Sequence, residues 1–323
     1  MCTAISYERG GRLFGRNLDV DRLYGESVII TPRSFALSFR KTKNVTRHYA
    51  FIGAGVEKRG YPLYFDGVNE HGLCIAGLNF VDNARYFPAD ESKTNITPFE
   101  LIPYMLSGFK SVKEALGDLG NLNITDIPFS RELPLAELHW LIADKTEAIV
   151  LEQTREGLRI YENQAGVLTN NPPFPFHREQ LRTYMNLTSR IPPNNFAKAI
   201  DLTPYSHGLG SFGLPGDLSS ASRFVRASFY TQNSIKYEEK MGDVYQLFHI
   251  LSSVAQIEGS VYTKDGYERT EYSSVMDPDH ATYYYRAYMN SDIHAVRLTE
   301  EVAESSTLTI YPLIKNGNVT YQN

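Results

Sequence analysis

The chain has 323 residues, of which 42% are hydrophobic and 21% charged, values typical of a soluble globular protein. Its net charge of −5 and the lack of a basic block argue against nucleic acid as a partner. No apolar run reaches the ~18 residues that a membrane helix needs, and no secretory signal is recognisable. Two cysteines, Cys2 and Cys74, are too few for a disulfide scaffold, so we expect a reducing compartment and a cytoplasmic protein.

Strands are predicted through the first part of the chain. Residues 2–8 and 12–17 flank Gly10-Gly11, which is a hairpin signal. Apolar segments punctuated by glycine and asparagine predict further strands at residues 27–32, 35–40, 48–55, 61–70 and 72–80.

The hydrophobic period changes at Thr97. Thr97, Pro98 and Glu100 form a capping box with proline at the first helical position, which predicts a helix over 97–109. Ser111 and Glu114 repeat the capping pattern and predict a second, short helix.

The rest of the chain alternates between groups of strands and groups of helices. Strands are predicted at 135–144, 147–153, 158–163 and 166–170, helices at 178–187, 219–230 and 243–256, and strands at 269–276, 281–288, 292–298 and 307–313. Because the elements come in groups, an α+β fold with antiparallel sheets is favoured over a doubly wound parallel sheet. No linker, charge run or repeat divides the chain, so one domain over 1–323 is expected.

Nucleotide and metal sites are disfavoured. Residues 208–213 match G-x-G-x-x-G, but no strand precedes them and Pro215 prevents a helix, so we interpret them as a loop. The eight histidines form no His-Glu-X-X-His and no Cys/His cluster, so no metal site is expected. A Cys–His dyad with His71 or His207 as base stays open.

Cys2 has two interpretations. Its place behind the initiator methionine is a matter of chance, or Met1 is removed and Cys2 gains a free α-amine beside its thiol. An α-amine has a pKa near ~8 and can act as a general base without a histidine. The thiolate would need a cation and the amine an acceptor; Arg16 and Asp19 return toward Cys2 through the predicted hairpin.

Five motifs, in order, closely resemble those of one family. They are MCTA, FGRNLD, GLCIAGLNF, GVLTNNP and GLPGDLSSASRF, and they resemble the choloylglycine hydrolase family over essentially the whole chain. These N-terminal nucleophile hydrolases include conjugated bile acid hydrolases and penicillin V acylases. The resemblance implies an αββα sandwich, in which two stacked antiparallel sheets lie between helical layers.

The resemblance also implies catalytic roles for six residues. They are the nucleophile Cys2, the thiol-tuning Arg16, the amine-orienting Asp19, the oxyanion-hole residues Asn79 and Asn170, and the second active-site arginine, Arg223. The implied activity is bile salt hydrolysis: cleavage of glycine- or taurine-conjugated bile acids through a Cys2 thioester, in a mature chain that lacks Met1. No metal or organic cofactor is implied, and a homotetramer is suggested.

The substrate within the family is less sharply defined. Asn79 favours bile acid conjugates, because the family's penicillin acylases commonly carry tyrosine there. Apolar positions that would face a steroid, or else pack in the core, are Leu18, Val20, Leu23, Tyr24, Val56 and Phe65.

A loop that contains Ser206 and His207 is the candidate for recognising the amino-acid half. Many relatives have an arginine where this chain has His207, and histidine is not permanently charged, so the preference for taurine or glycine stays open. The alternatives are a penicillin V acylase and a catalytically silent bile acid binder.

Overall fold

The computed structural model describes residues 1–8 and 12–323 of the chain. The predicted hairpin turn at Gly10-Gly11 lies outside the described residues. In chain order the strands are Cys2–Tyr7 (β1), Leu13–Val20 (β2), Ser27–Thr31 (β3), Phe51–Lys58 (β4), Tyr61–Tyr64 (β5), Asp66–Asn69 (β6), Cys74–Asn79 (β7), Thr94–Ile96 (β8), Leu122–Ile124 (β9), Leu138–Ala143 (β10), Ala148–Thr154 (β11), Gly157–Glu162 (β12), Val167–Leu168 (β13), Val261–Thr263 (β14), Gly266–Asp277 (β15), Thr282–Ala287 (β16), Asn290–Arg297 (β17) and Thr309–Pro312 (β18). The helices are Leu101–Gly108 (α1), Val112–Leu119 (α2), Phe174–Gln180 (α3), Ser220–Asn233 (α4), Lys240–Ser253 (α5) and Glu300–Ala303 (α6), with 3₁₀ turns at Leu181–Tyr184 and Leu209–Ser211.

Two antiparallel sheets dominate the described chain. The first has the strand order β13-β1-β2-β15-β16-β17, with β14 paired to β15. The second has the order β12-β11-β10-β7-β6-β4-β3-β18, with β5 paired to β4. A short parallel pair, β8-β9, lies apart from both. The predicted α+β class with antiparallel sheets is confirmed.

The sheets stack between two helical layers. Strands β1 and β16 of the first sheet contact β7, β10 and β4 of the second. Helices α4 and α5 pack on the outer face of the first sheet, whereas α1 packs on β6 and β7 of the second. One apolar cluster fills the space between the sheets and beneath α4 and α5, and another lies beneath α1 and α2. None of the helices in the described residues is long and apolar enough to cross a membrane.

Strand β1 lies inside this sandwich. It pairs with β2 on one side and β13 on the other, and all six of its residues are buried. A strand covered on both faces has no solvent side for charged residues, which explains why its sequence, CTAISY, is apolar or small throughout. The start of β1 is therefore a fixed position in the core rather than a loose terminus.

Both helices predicted from capping patterns are present, and so are most of the strands predicted from apolar patterning, although some bounds differ. Ser111 Oγ accepts a hydrogen bond from Glu114 N at 3.2 Å, as the capping pattern predicts. Glu100 accepts from Thr97 N at 3.0 Å, but α1 begins only at Leu101.

Two predicted elements are corrected. Residues 35–40 form no strand and contribute only the isolated bridge between Leu37 and Val45, because no neighbouring strand is available for the rest of the segment. The helix predicted at 178–187 starts earlier, with Phe174. It contains Pro175 in its first turn, where a missing N–H is tolerated, and turns into 3₁₀ geometry at Leu181.

Candidate active site at the start of the first strand

The thiol of Cys2 lies beside a buried guanidinium. Cys2 pairs with Leu18 of β2, and Ala4 pairs with Arg16. Side chains two residues apart in a strand share a face, so Arg16 lies diagonally across from Cys2. Its Nη2 donates a hydrogen bond to Cys2 Sγ at 2.8 Å, and both side chains are buried. A cation at this distance stabilises the thiolate relative to the thiol.

Arg16 is held in place by groups from the second sheet. Its Nη1 donates to Phe65 O at 3.0 Å and to Gly77 O at 3.2 Å, and its Nε lies 3.7 Å from Asp66 Oδ2. Burial pulls the pKa of Arg16 down, but the negative charge of Cys2 and Asp66 outweighs this, and the pKa is raised. Arg16 is thus a fixed positive charge beside Sγ.

Asp66 is the counter-ion of this guanidinium, and it was not among the predicted site residues. Its carboxylate accepts hydrogen bonds from Tyr272 Oη at 2.8 Å, Tyr283 Oη at 2.7 Å and Ala54 N at 3.2 Å. Burial raises the pKa of Asp66, although Arg16 and the two tyrosines oppose the rise. Gly53 lets the strands approach here, since a Cβ on it would lie 2.0 Å from Asp66 O.

Asn170 connects the Cys2 backbone to the second sheet. Cys2 N donates to Asn170 Oδ1 at 2.8 Å, and Arg223 Nη2 donates to the same oxygen at 2.8 Å. Asn170 Nδ2 donates to Asn79 O at 2.8 Å, at the end of β7, where Asn79 is exposed. A side-chain amide nitrogen carries two hydrogens. Asn170 Nδ2 therefore keeps one hydrogen that has no partner among the described residues.

Arg223 is a buried residue of α4 whose guanidinium donates hydrogen bonds to the Cys2 backbone and to the groups next to it. Its Nε donates to Leu218 O at 3.0 Å, and its Nη1 donates to Cys2 O and Thr3 Oγ1, both at 2.6 Å. Its Nη2 donates to Asn170 Oδ1 and also to Met1 Sδ at 3.6 Å. All five N–H groups of the guanidinium are thus in use. The side chain is fully buried, which excludes a role as a surface residue of α4.

Asp19 and Glu268 hold the ammonium group of Met1. This group donates to Glu268 Oε1 at 2.6 Å and to Asp19 O at 3.1 Å. Asp19 Oδ1 accepts from Thr270 Oγ1 at 2.6 Å, whereas Asp19 Oδ2 is buried and has no hydrogen-bond partner among the described residues. Burial raises the pKa of Asp19, and the ammonium group and Arg223 counteract this. With Met1 attached, the Cys2 nitrogen is an amide and cannot act as a base.

A largely apolar cavity of about 380 Å³ opens over these groups. Its floor contains Cys2, Arg16, Asp19 and Asn79. The predicted substrate positions that line it are Leu18, Val20, Tyr24, Val56 and Phe65, whereas Leu23 is exposed and does not line it. The opposite wall was not predicted and consists of Pro98, Phe99, Ile102 and residues of the segment 128–138.

Ser206 and His207 are not brought to this cavity by the chain. Both are exposed, and Ser206 Oγ donates a hydrogen bond to His207 O at 3.0 Å. Neither residue lines the cavity. The prediction that they contact the amino-acid half of a substrate therefore has no support in the folded chain.

A comparison with family models identifies the family of the chain. Residues 2–311 match the model for linear amide C–N hydrolases of the choloylglycine hydrolase family. The chain belongs to the choloylglycine hydrolase family.

Relatives and solved structures agree with this assignment. A bile salt hydrolase/transferase of Lactiplantibacillus plantarum is 51% identical over 97% of this chain and 97% of its own length. The crystal structure of a variant of conjugated bile acid hydrolase from Clostridium perfringens has a TM-score of 0.91 at 36% identity, with 100% of both chains covered. A penicillin V acylase from Agrobacterium tumefaciens, 20% identical, covers 98% of this chain and 94% of its own, and with a TM-score of 0.78 it shares the fold. The predicted αββα fold of N-terminal nucleophile hydrolases is confirmed.

In this choloylglycine hydrolase, two buried histidines, His139 and His177, contact the backbone at Thr169 and Asn170. His139 Nδ1 lies 3.0 Å from Glu152 Oε1, and His139 Nε2 lies 2.9 Å from Thr169 O. Both ring nitrogens of this buried histidine therefore face oxygen atoms, which fixes the orientation of the ring. His177 Nε2 donates to Asn170 O at 2.9 Å, and burial lowers the pKa of His177, which keeps its ring neutral. The sequence did contain a signal for the contact between His139 and Glu152, because each is a polar residue inside a predicted strand that is otherwise mostly apolar.

Among residues 1–8 and 12–323, no group of three or more His, Cys, Asp or Glu side chains is arranged to hold a metal ion.

Proposed function

We propose that this protein is a bile salt hydrolase, which cleaves the amide bond between a bile acid and glycine or taurine after Met1 has been removed. One observation carries the proposal. The thiol and backbone nitrogen of residue 2 are held 2.8 Å from Arg16 Nη2 and from Asn170 Oδ1, at the floor of an apolar cavity. Loss of Met1 turns that nitrogen into the free amine of an N-terminal nucleophile.

The first step forms an acyl-enzyme. The Cys2 thiolate, stabilised by Arg16, attacks the amide carbonyl, and the electron pair of the C=O bond moves to its oxygen. The free hydrogen of Asn170 Nδ2, with Asn79 beside it, stabilises this oxyanion; such a donor contributes about 10²–10³ in rate. As the tetrahedral intermediate collapses, the C–N bond breaks, and the Cys2 amine donates a proton to the departing nitrogen.

The second step hydrolyses the thioester. The Cys2 amine, now neutral, takes a proton from water, whose oxygen attacks the carbonyl, and the C–S bond breaks to regenerate the thiolate. Asp19 orients the amine through its buried, unpartnered Oδ2. Arg223 holds the backbone of Cys2 and the side chain of Asn170. No metal or organic cofactor takes part in these steps.

The cavity supports a steroid substrate. Its lining is mostly apolar, and the ring centroids of Tyr24 and Phe65 lie 6.0 Å apart at one wall. The name of the L. plantarum relative, which covers nearly the full chain, supports the same substrate class. Asn79 disfavours penicillin V, and the intact set of Cys2, Arg16 and Asp19 disfavours a silent binder, which has no need of them.

The mature protein proposed here is one domain without Met1, located in the cytoplasm and assembled as a homotetramer. The free, buried state of both cysteines supports a reducing compartment. The assembly follows from the family resemblance, and light scattering on the purified protein tests it.

The deciding experiment compares products from glycocholate, taurocholate and penicillin V, each incubated with the protein after intact mass has shown that Met1 is absent. Free cholate with glycine or taurine, at rates well above penicillin V cleavage, supports the proposal. Faster penicillin V cleavage would make the protein an acylase. Binding of cholate conjugates without cleavage would make it a silent binder.

A further inference from the structure

The contacts of Met1 define a small polar site beside Cys2. Its ammonium group donates to Glu268 Oε1 at 2.6 Å and to Asp19 O at 3.1 Å. At its other end, the Met1 sulfur accepts a hydrogen bond from Arg223 Nη2 at 3.6 Å. We call these three partners (the Glu268 carboxylate, Asp19 O and Arg223 Nη2) the Met1 seat.

The Met1 seat is buried and carries opposite charges at its two ends. Glu268 is 7% exposed and Arg223 is fully buried. Glu268 Oε2 has no hydrogen-bond partner among the described residues, so the Met1 ammonium is the group that compensates this carboxylate. A buried carboxylate without a cationic partner is costly. Removal of Met1 takes this partner away from Glu268.

Removal of Met1 also frees one donor of Arg223. Four of its N–H groups donate to Leu218 O, Cys2 O, Thr3 Oγ1 and Asn170 Oδ1, and the fifth donates to the Met1 sulfur. A thioether sulfur is a weak acceptor, whereas a carboxylate or sulfonate oxygen forms a strong, charge-assisted bond with guanidinium. The freed N–H therefore suits an anionic group.

The Met1 seat is next to the reacting atoms. The Met1 ammonium nitrogen is joined to Cys2 N through Met1 Cα and the carbonyl carbon, so the two nitrogens lie within about 4 Å of each other. In the proposed reaction, Cys2 N gives its proton to the departing amine. That amine accordingly leaves from a point that borders the seat.

We propose that in the mature enzyme the Met1 seat binds the free amino acid, released from the substrate or incoming, as a small zwitterion, with its amine at Glu268 and its acid group at Arg223. The inference rests on the proposed function, because it requires the removal of Met1. Glu268 is then the residue that holds the amine of the free amino acid. The seat takes up glycine or taurine on departure and presents an incoming amino acid to the thioester in the reverse direction.

The reverse step needs only the thioester, the bound amino acid, solvent and the Cys2 amine. The ammonium group of the bound amino acid first gives one proton to solvent; its neutral nitrogen then attacks the thioester carbonyl, the new C–N bond forms, and the C–S bond breaks with its electron pair returning to Cys2 Sγ. The proton released by the nitrogen goes to the Cys2 amine. Glu268 contributes position rather than chemistry, by holding the amine within reach of the carbonyl.

The test measures how the acyl group partitions between water and an added amine. Mature wild type, Glu268→Gln and the control Glu258→Gln, whose side chain is exposed and pairs with Arg269, are incubated with glycocholate and increasing taurine. The ratio of taurocholate to free cholate is plotted against taurine concentration. Because a neutral amide replaces a charged partner, we expect the slope for Glu268→Gln to fall by about fivefold to tenfold. The control slope should match the wild type.

A second amine tests the other end of the seat. Ethanolamine carries the amine of taurine without its acid group. We expect a lower slope with ethanolamine than with taurine in the wild type, because the freed N–H of Arg223 has no anion to bind. Glu268→Gln should lower both slopes. Equal slopes for the wild type and Glu268→Gln with taurine would overturn the inference.

Taurine binding separates failure of the inference from failure of the proposed function. Saturation-transfer NMR detects taurine on the mature protein without any turnover. Taurine bound by the wild type and weakened in Glu268→Gln supports the seat even if conjugated bile acids prove not to be substrates. Equal taurine signals for the two proteins would reject the seat even if hydrolysis is fast.

Discussion

The replacement of Asn170 by aspartate isolates the oxyanion donor from the rest of the site. Asn170 Oδ1 accepts from Cys2 N and Arg223 Nη2, and an aspartate oxygen of the same shape keeps both hydrogen bonds. The other atom changes from a donor to an acceptor. It loses the free hydrogen that we assign to the oxyanion, and it faces Asn79 O, which the amide nitrogen approached to 2.8 Å.

The expected losses follow from these two changes. Removal of one oxyanion donor lowers kcat by about 10²–10³, while KM for the conjugate changes little because the donor acts mainly in the transition state. The two facing acceptors lower the free energy of unfolding by about 1–3 kcal/mol. Asn170→Asp should therefore be a folded protein with a selective loss in kcat.

The assay combines steady-state kinetics on glycocholate, urea unfolding, and the rate at which iodoacetamide alkylates Cys2. The matched control is Asn171→Asp, because Asn171 Nδ2 donates to Val81 O in an exposed contact and Asn171 does not line the cavity. We expect the control to stay within about threefold of wild type, as most substitutions outside a site do. A kcat for Asn170→Asp within tenfold of wild type would refute the oxyanion role. An alkylation rate that falls as far as kcat would show that Asn170 acts by placing Cys2 instead.

Four further changes test the surrounding structure. Cys2→Ser should remain folded and be nearly inactive, because Arg16 and the amine cannot activate a hydroxyl as they do a thiol; rates like those of wild type in a Met1-free sample would contradict this. Asn79→Tyr should reduce hydrolysis of bile acid conjugates more than that of penicillin V, since it fills the cavity floor; equal losses would mean that this position does not report the substrate class. His139→Gln removes a ring nitrogen that lies 3.0 Å from the buried Glu152 Oε1 and should lower the free energy of unfolding in urea by about 1–3 kcal/mol, whereas an unchanged free energy would show that this contact does not stabilise the fold. Because burial lowers the pKa of His177 below its value of 6.5 when unfolded, the unfolded chain binds the proton more readily, so stability should fall as the pH decreases below 6.5. The slope is at most about 1.4 kcal/mol per pH unit for this group, and His177→Gln should flatten it in urea unfolding between about pH 7.5 and pH 5.5; an unchanged slope would exclude His177 as its source.

The predicted catalytic residues could be located from sequence because they lie in compact local motifs. Cys2 is recognisable by its position, and Asn79 and Asn170 each end a strand that the pattern predicts. The structure brings both asparagines to Cys2, together with Arg16 and Arg223. Their roles stay proposals, but their placement agrees with the motifs.

Other residues of the site gave no such signal. Asp66 follows a tyrosine-rich strand segment and was interpreted only as part of a strand; its contact with Arg16 joins two sheets and has no local pattern. Glu268 is separated from Met1 by 267 positions, so its contact with the Met1 ammonium can be recognised only in the folded chain. The cavity wall at residues 128–138 lies in an irregular segment, where periodicity carries no information.

The same limit explains the errors in the fold. Residues 35–40 alternate between apolar and polar as a strand does, but alternation cannot show whether a partner strand is available. His207 was selected from a loop that varies among relatives, and a loop's position in space does not follow from its sequence. In the folded chain His207 is exposed and does not line the cavity, and its contact with a substrate stays a prediction.

The most direct test of the central claim is a mass measurement on acid-quenched enzyme. Mature protein is mixed with taurocholate and quenched within the first turnover, and intact mass and peptide mapping then locate any adduct. The account predicts a chain that lacks Met1 and carries a cholyl thioester on Cys2, which disappears as free cholate accumulates. Turnover with no adduct, an adduct on another residue, or equal activity from protein that retains Met1 would contradict it.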